Sequence, residues 1–177
     1  MQFAKPITLN NLKKIQSIVS AVASTKDLTQ HNFFYDWSEK FKNFPIIINT
    51  IKDHFPRFKI QSVAIVVLPP LSKLDIHQDH EDDVSLGTYS FNIPILNCEN
   101  TFTAFYKCNT SPTMTYTSNN LSYFIYNEED CVEVHRIEMS QPHLINIKAP
   151  HTAINDTDNV RMTLSIRFDP ESEILED

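Results

Sequence analysis

The residues of this chain best suited to chemistry lie in two stretches far apart. One is Leu74-Asp75-Ile76-His77-Gln78-Asp79-His80; the other is Ala149-Pro150-His151 followed by Val160-Arg161-Met162-Thr163. In an extended strand, residues i and i+2 face the same side. His77 and Asp79 can therefore offer an imidazole and a carboxylate to a single ion while Gln78 points away. One histidine and one carboxylate are two of the three ligands of the facial triad that holds Fe(II) and leaves coordination positions open. A third ligand must come from elsewhere. His151 is the candidate, because Arg161 follows it by ten residues and the hydroxyl of Thr163 comes two later. A lone His-x-Asp is common by chance; the joint pattern is the specific signal.

These pieces need elements that bring them together. Asn155-Asp156-Thr157-Asp158-Asn159 reads as a polar turn between two strand-like runs. Centred on Thr157, an antiparallel hairpin places His151 opposite Thr163 and Ala153 opposite Arg161. Arg161 then lies one diagonal step from His151, about 7–8 Å between Cα atoms. The second run alternates without a break, with Arg161, Thr163, Ser165 and Arg167 on one side and Met162, Leu164, Ile166 and Phe168 on the other. A slip of one residue would bury the charges, so the register is strongly specified.

The rest of the chain predicts a β-rich scaffold. From residue 58 onward come a β-branched run, 59–68, and further strand candidates at 88–96, 101–106, 113–117, 121–126, 132–137, 144–147 and 160–168. Most are separated by polar, asparagine-rich segments. Many short strands at this spacing predict an antiparallel sandwich or jelly-roll barrel. Before them, residues 7–24 carry Leu12, Ile15, Val19 and Val22 at helical spacing, with Thr8 as the expected N-cap. An aromatic cluster of Phe33, Phe34, Tyr35, Trp37 and Phe41 follows as a loop and short helix. Pro45 then opens a second helix bearing Ile47, Ile48, Ile51 and Phe55. With no linker between the halves, the expectation is one domain: a helical buttress over 1–57, the β core over 58–168, and an acidic, solvated tail over 169–177.

Composition narrows the function classes. With 177 residues, the chain can bury a sizeable core. A formal net charge of −7 argues against a broad nucleic-acid surface. The single glycine, Gly87, excludes glycine-rich phosphate loops and leaves tight turns to Asn and Asp. Cys98, Cys108 and Cys131 are odd in number and lack metal-site spacing, so the expectation is buried free thiols. The start lacks a secretory signature, and no apolar run approaches the roughly 18–20 residues of a membrane span. A cytoplasmic protein is expected.

The pattern His77-x-Asp79, His151, Arg161-x-Thr163 resembles the signature of the Fe(II)/2-oxoglutarate-dependent dioxygenase superfamily, over residues 58–168. The resemblance implies a double-stranded β-helix, a jelly-roll and cupin-like barrel, with N-terminal helices packed on it. It implies that His77, Asp79 and His151 ligate Fe(II), and that Arg161 pairs with the distal carboxylate of 2-oxoglutarate while Thr163 hydrogen-bonds it. Bidentate geometry is the physical reason for arginine there. Tyr89-Ser90-Phe91-Asn92-Ile93-Pro94-Ile95 is similar to a strand of aspartyl/asparaginyl hydroxylase-like members, and Asn92 through Asn97 to small phage and bacterial oxygenases. Ser90 and Asn92 replace an Arg-x-His of the first group, so Asn92 is expected to hydrogen-bond the metal-side carboxylate of the co-substrate. The implied reaction consumes O2 and 2-oxoglutarate, releases succinate and CO2, and hydroxylates an unactivated carbon.

The implied substrate is a protein, peptide or free amino acid, with no nucleic acid or membrane partner. One alternative is oxidative demethylation of a nucleobase or methylated side chain, since Arg161 and Arg167 have the Arg-x5-Arg spacing of nucleic-acid demethylases. In those, the first arginine lies farther from the distal histidine. The other alternative is a non-catalytic cupin-like binding barrel, although typical cupins show His-x-His and several turn glycines. His80 is expected to point away from the metal, His143 to sit at the surface or behind the ligands rather than line the mouth, and Glu81-Asp82-Asp83 to form a solvated rim.

Overall fold

The computed structural model describes residues 3–24, 34–36, 38–80, 87–116 and 122–169. The N-terminal third runs β1 (Ala4–Pro6), α1 (Leu12–Ala23), β2 (Phe34–Asp36), α2 (Ser38–Phe41) and α3 (Pro45–His54). Then come β3 (Ile60–Leu68), β4 (Ser72–Lys73), β5 (His77–His80), β6 (Tyr89–Leu96), β7 (Thr101–Cys108), β8 (Thr113–Tyr116) and β9 (Ser122–Ile125). The chain finishes with β10 (Cys131–Glu138), β11 (His143–Asn146), β12 (His151–Asn155) and β13 (Arg161–Phe168).

The strands form two antiparallel sheets, ordered β1-β11-β6-β13-β3-β2 and β10-β7-β12-β5-β9-β8, with β4 added beside β12. From β3 onward the chain crosses between the sheets repeatedly: β3, β6, β11 and β13 lie in the first, while β5, β7, β10 and β12 lie in the second. This is the expected double-stranded β-helix. The expected strands are present with ends moved by a residue or two, as ladder hydrogen bonding, not pattern, decides where a strand stops.

Alternation on the first sheet explains both the core and the site. Val63, Ile65 and Val67 of β3, Phe91, Ile93 and Ile95 of β6, and Met162, Leu164, Ile166 and Phe168 of β13 point outward. There they meet Ile15 and Val19 of α1 and Ile47, Ile51 and Phe55 of α3. Phe55 packs against Phe91, Phe168 and Phe58 with ring centroids 5.0–5.4 Å apart. The apolar core is thus mainly the helix–sheet layer, as the helical buttress requires. Among the other side chains of β6 and β13, Ser90, Asn92, Arg161, Thr163, Ser165 and Arg167 face the second sheet and give the barrel a polar lumen.

Four expectations need correction. The first helix begins at Leu12, not residue 7, because residues 4–6 form β1 on the edge of β11. Its N-cap position is held by Asn11, while the carbonyl of Thr8 is bound by Nε2 of His54 at 3.0 Å. The region before residue 58 also supplies β1 and β2 to the two edges of the first sheet, so it is not purely helical. The proposed hairpin between β12 and β13 does not form. Both edges of β12 are filled, by β7 on one side and by β4 and β5 on the other, and β13 is filled by β3 and β6. The five-residue turn carries the chain from one sheet to the other. Asn155, fully buried, organises it: Nδ2 donates to the carbonyls of Leu68, Pro69 and Asn159, and Oδ1 accepts from the backbone and hydroxyl of Thr157.

Fourth, Cys108 and Cys131 are not free thiols. They stand opposite each other in the β7–β10 ladder and form a disulfide, leaving Cys98 buried and free. The turn chemistry follows expectation at Asn97 and Asn100, which adopt positive φ, with Leu71 as an unexpected third. Gly87 is needed for space: a Cβ there would collide with the carbonyl oxygen of Phe168, to which its own N–H donates at 3.2 Å. Phe33, Trp37, the 81–83 rim and residues 170–177 of the acidic tail lie outside the described residues. Among the described residues, no helix is long and apolar enough to cross a membrane.

Candidate metal centre

His77 and Asp79 are alternate residues of β5, and β12 pairs with β5 so that His151 is directly opposite His77. The ligand atoms of His77, Asp79 and His151 all lie within 4.8 Å of one another. Oδ1 of Asp79 is 3.4 Å from Nε2 of His77 and 3.9 Å from Nε2 of His151. The histidines are oriented the same way. Nδ1 of His77 contacts the carbonyl of Asp75 at 2.8 Å, and Nδ1 of His151 that of Ala149 at 2.9 Å. A carbonyl only accepts, so each Nδ1 carries a proton, and in the neutral imidazole Nε2 is left with its lone pair for the centre. Such carbonyl partners orient ligating histidines.

The electrostatics suit a cation. Burial works against charge on Asp79, but Arg167, the hydrogen bond from His77 and both imidazoles outweigh it and hold the carboxyl well below its usual range. Burial, helped by the neighbouring His77, pushes His151 down to about 4, so it is a neutral donor at physiological pH. For His77, burial is overcome by the hydrogen bond and charge of Asp79, which raise it. Burial likewise lowers Lys148, partly countered by Asp79.

Arg167 is the contact that the sequence reading underweighted. Its Nη2 donates to Oδ2 of Asp79 at 2.7 Å, leaving Oδ1 for the metal side. The signal was present in the alternation that put Arg161 and Arg167 on one face. The two arginines divide the lumen. Arg161, 3% exposed, sits at the far end, where Nη1 donates to the carbonyls of Phe102 and Ile154 at 3.3 and 3.4 Å and lies by the Cys98 thiol. Among the described residues no carboxylate pairs with it, and its buried Nε has no hydrogen-bond partner.

The other predicted residues lie between these ends. Thr163, buried, is in register with Val66 and Pro94. Asn92 is in register with Ser165 and His143, and its Oδ1 accepts from Ser90, whose hydroxyl also meets that of Ser165 at 2.9 Å. His143 is buried rather than superficial, with Nδ1 on the carbonyl of Gln141 and its titration lowered by burial. Thus the structure joins His77, Asp79 and His151, and places Arg161, Thr163 and Asn92 in the same lumen. Arg161 is not beside His151, however: its contact at Ile154 is three residues along β12, roughly 10 Å away. The side chain of His80 lies outside the described residues.

No family model matches the chain, and no curated protein sequence matches it. Solved structures do. The α-ketoglutarate-dependent carbocyclase SnoK from nogalamycin biosynthesis aligns with a TM-score of 0.54 and 12% identity, covering 94% of this chain and 78% of that one. A prolyl-4-hydroxylase of Pseudomonas putida aligns with a TM-score of 0.52 and 8% identity, covering 94% and 91%. An oxalate decarboxylase of Lactobacillus farciminis aligns at a TM-score of 0.38, and the chain spans 29% of its length. At such identities the likeness concerns the fold. The chain shares the double-stranded β-helix fold with the first two, and its lumen holds a His77-Asp79-His151 cluster that could hold a metal ion.

Proposed function

We propose that this protein is an Fe(II)- and 2-oxoglutarate-dependent dioxygenase that hydroxylates a peptidyl or free amino-acid side chain. The observation that carries the reading is Arg161. A guanidinium buried without a carboxylate is costly, and its cost is relieved by an anion that enters the lumen. The distance from its contact at Ile154 back to His151 is on the order of 10 Å. A five-carbon dicarboxylate with a coordination bond at one end and a hydrogen bond at the other spans roughly that length.

The donor set fits Fe(II): two neutral imidazole nitrogens and one carboxylate oxygen, from His77, His151 and Asp79, on one face. Iron, when bound, supplies the oxygen chemistry, with 2-oxoglutarate and O2 consumed and succinate and CO2 released. The remaining work belongs to the chain. Asp75 and Ala149 hold the imidazoles in the ligating tautomer through their carbonyls, and Arg167 holds Asp79 ionised and turned. Arg161 and Thr163 grip the distal carboxylate of the co-substrate, and Asn92 lies on the wall nearer the metal.

The test is anaerobic addition of Fe(II) and 2-oxoglutarate, followed by the weak visible absorbance of their chelate. Wild-type protein should show it. If His77→Ala and Arg161→Ala proteins develop the same absorbance, the reading is wrong. Succinate release on admitting O2 separates an enzyme from a cupin-like binder. Oxidative demethylation uses the same centre, and the observation favouring it is that Arg161 and Arg167 share the lumen, with Arg167 on Asp79. Formaldehyde among the products would mark that outcome.

A further inference from the structure

We propose that Tyr123, on the hairpin inserted between β7 and β10, is the side chain against which the primary substrate docks, an inference that rests on the dioxygenase reading. The hairpin β8–β9 is not one of the eight strands of the double-stranded β-helix. It folds back so that β9 pairs with β5 along its whole length, placing Tyr123 opposite Asp79 and Ile125 opposite His77. Directly paired residues of an antiparallel ladder share a face. Tyr123 and Ile125 therefore look the same way as the two metal ligands of β5. The ring contact agrees: Tyr123 lies 5.5 Å from His77 between centroids, tilted by 57°.

The position is divided by function. Arg161 marks the deep end of the lumen, where the co-substrate's distal carboxylate belongs, and the β9 wall flanks the metal from another side. Tyr123 is half-buried, and its hydroxyl makes no hydrogen bond to any described residue. A phenol placed so, with the aliphatic Ile125 beside it, suits a hydrogen-bonding group on a short aliphatic stem. That is the chemistry of an amino-acid or peptide unit, whose reacting carbon would lie between Tyr123 and the ion.

Two measurements on the full chain test this without knowledge of the substrate. In protein carrying ring-labelled tyrosine, Co(II) replaces Zn(II) in the centre, and Tyr123→Phe identifies the signal. Tyr123 should shift most of the six tyrosines. If it does not shift, the placement is overturned. In the second, protein is turned over with Fe(II), 2-oxoglutarate and O2 and no other substrate. An aromatic C–H, O2 and 2-oxoglutarate give the aromatic C–OH, succinate and CO2. The peptide containing Tyr123 should gain one oxygen atom, a gain absent from Tyr123→Leu. Succinate formed with the oxygen on another residue, or with Tyr123 untouched, overturns the proposal. If no succinate forms at all, the dioxygenase reading falls, and the cobalt shift alone decides whether Tyr123 faces the centre.

Discussion

Arg167 of β13 and Asp79 of β5 meet across the barrel at 2.7 Å, and this contact takes one carboxylate oxygen, Oδ2, while Oδ1 faces His77 and His151. Both side chains are largely buried. Removing the cation takes away the strongest charge holding Asp79 ionised and leaves only the two imidazoles, a loss of up to about 3–5 kcal/mol for a buried pair. Arg167→Met should therefore destabilise the metal-free protein by that order. A bound divalent cation neutralises Asp79 in its place, so the rise in melting temperature on adding Zn(II) should be larger in the variant than in wild type. Thermal unfolding with and without metal checks both parts.

Arg161→Met should behave in the opposite sense. It removes a buried guanidinium whose Nε is unpartnered, so the free protein should be as stable as wild type or more so. Its affinity for 2-oxoglutarate in the presence of metal should fall about 100-fold, equivalent to roughly 2.7 kcal/mol, through loss of a charge-assisted contact. Calorimetric titration against an unfolding curve separates the two effects.

Metal binding should weaken in acid with the signature of one proton. Asp79 is ionised and His151 neutral well below pH 6, whereas His77 titrates above its ordinary value because Asp79 favours its charged form over the effect of burial. The ion needs unprotonated His77, so binding displaces its proton. Co(II) affinity should be flat above the His77 titration and fall about tenfold per pH unit below it. A slope of two protons would show that His151 also titrates there.

The Cys108–Cys131 disulfide spans a separation of 23 residues and closes the base of the insertion that carries β8 and β9. Alkylation of the unfolded, unreduced protein should label Cys98 alone, and reduction should expose all three cysteines. Replacing both Cys108 and Cys131 by serine should lower stability by about 3 kcal/mol through loop-closure entropy. Three labelled thiols before reduction would refute the pairing.

His77 and Asp79 were legible in sequence because side-chain direction in a strand is a local property with a period of two. The same rule put Arg161, Thr163, Ser165 and Arg167 on one face and the apolar residues of β13 on the other, as observed. Proline at the start of α3, asparagines at tight turns and the succession of strands were also readable, each being a matter of local backbone preference. Which strand lies beside which was not. The polar turn at 155–159 suits a hairpin by composition, yet β12 and β13 lie in different sheets, each with both of its edges filled by other strands. That non-local choice placed His151 against His77, sent Arg161 away from His151, brought Arg167 to Asp79, set Cys108 against Cys131 and laid Tyr123 beside the metal ligands. The chain's own pattern determined which residues could serve a metal centre and which way each would point. Only the pairing of distant strands decided which of them meet, since hydrogen bonding between strands is indifferent to their separation in sequence.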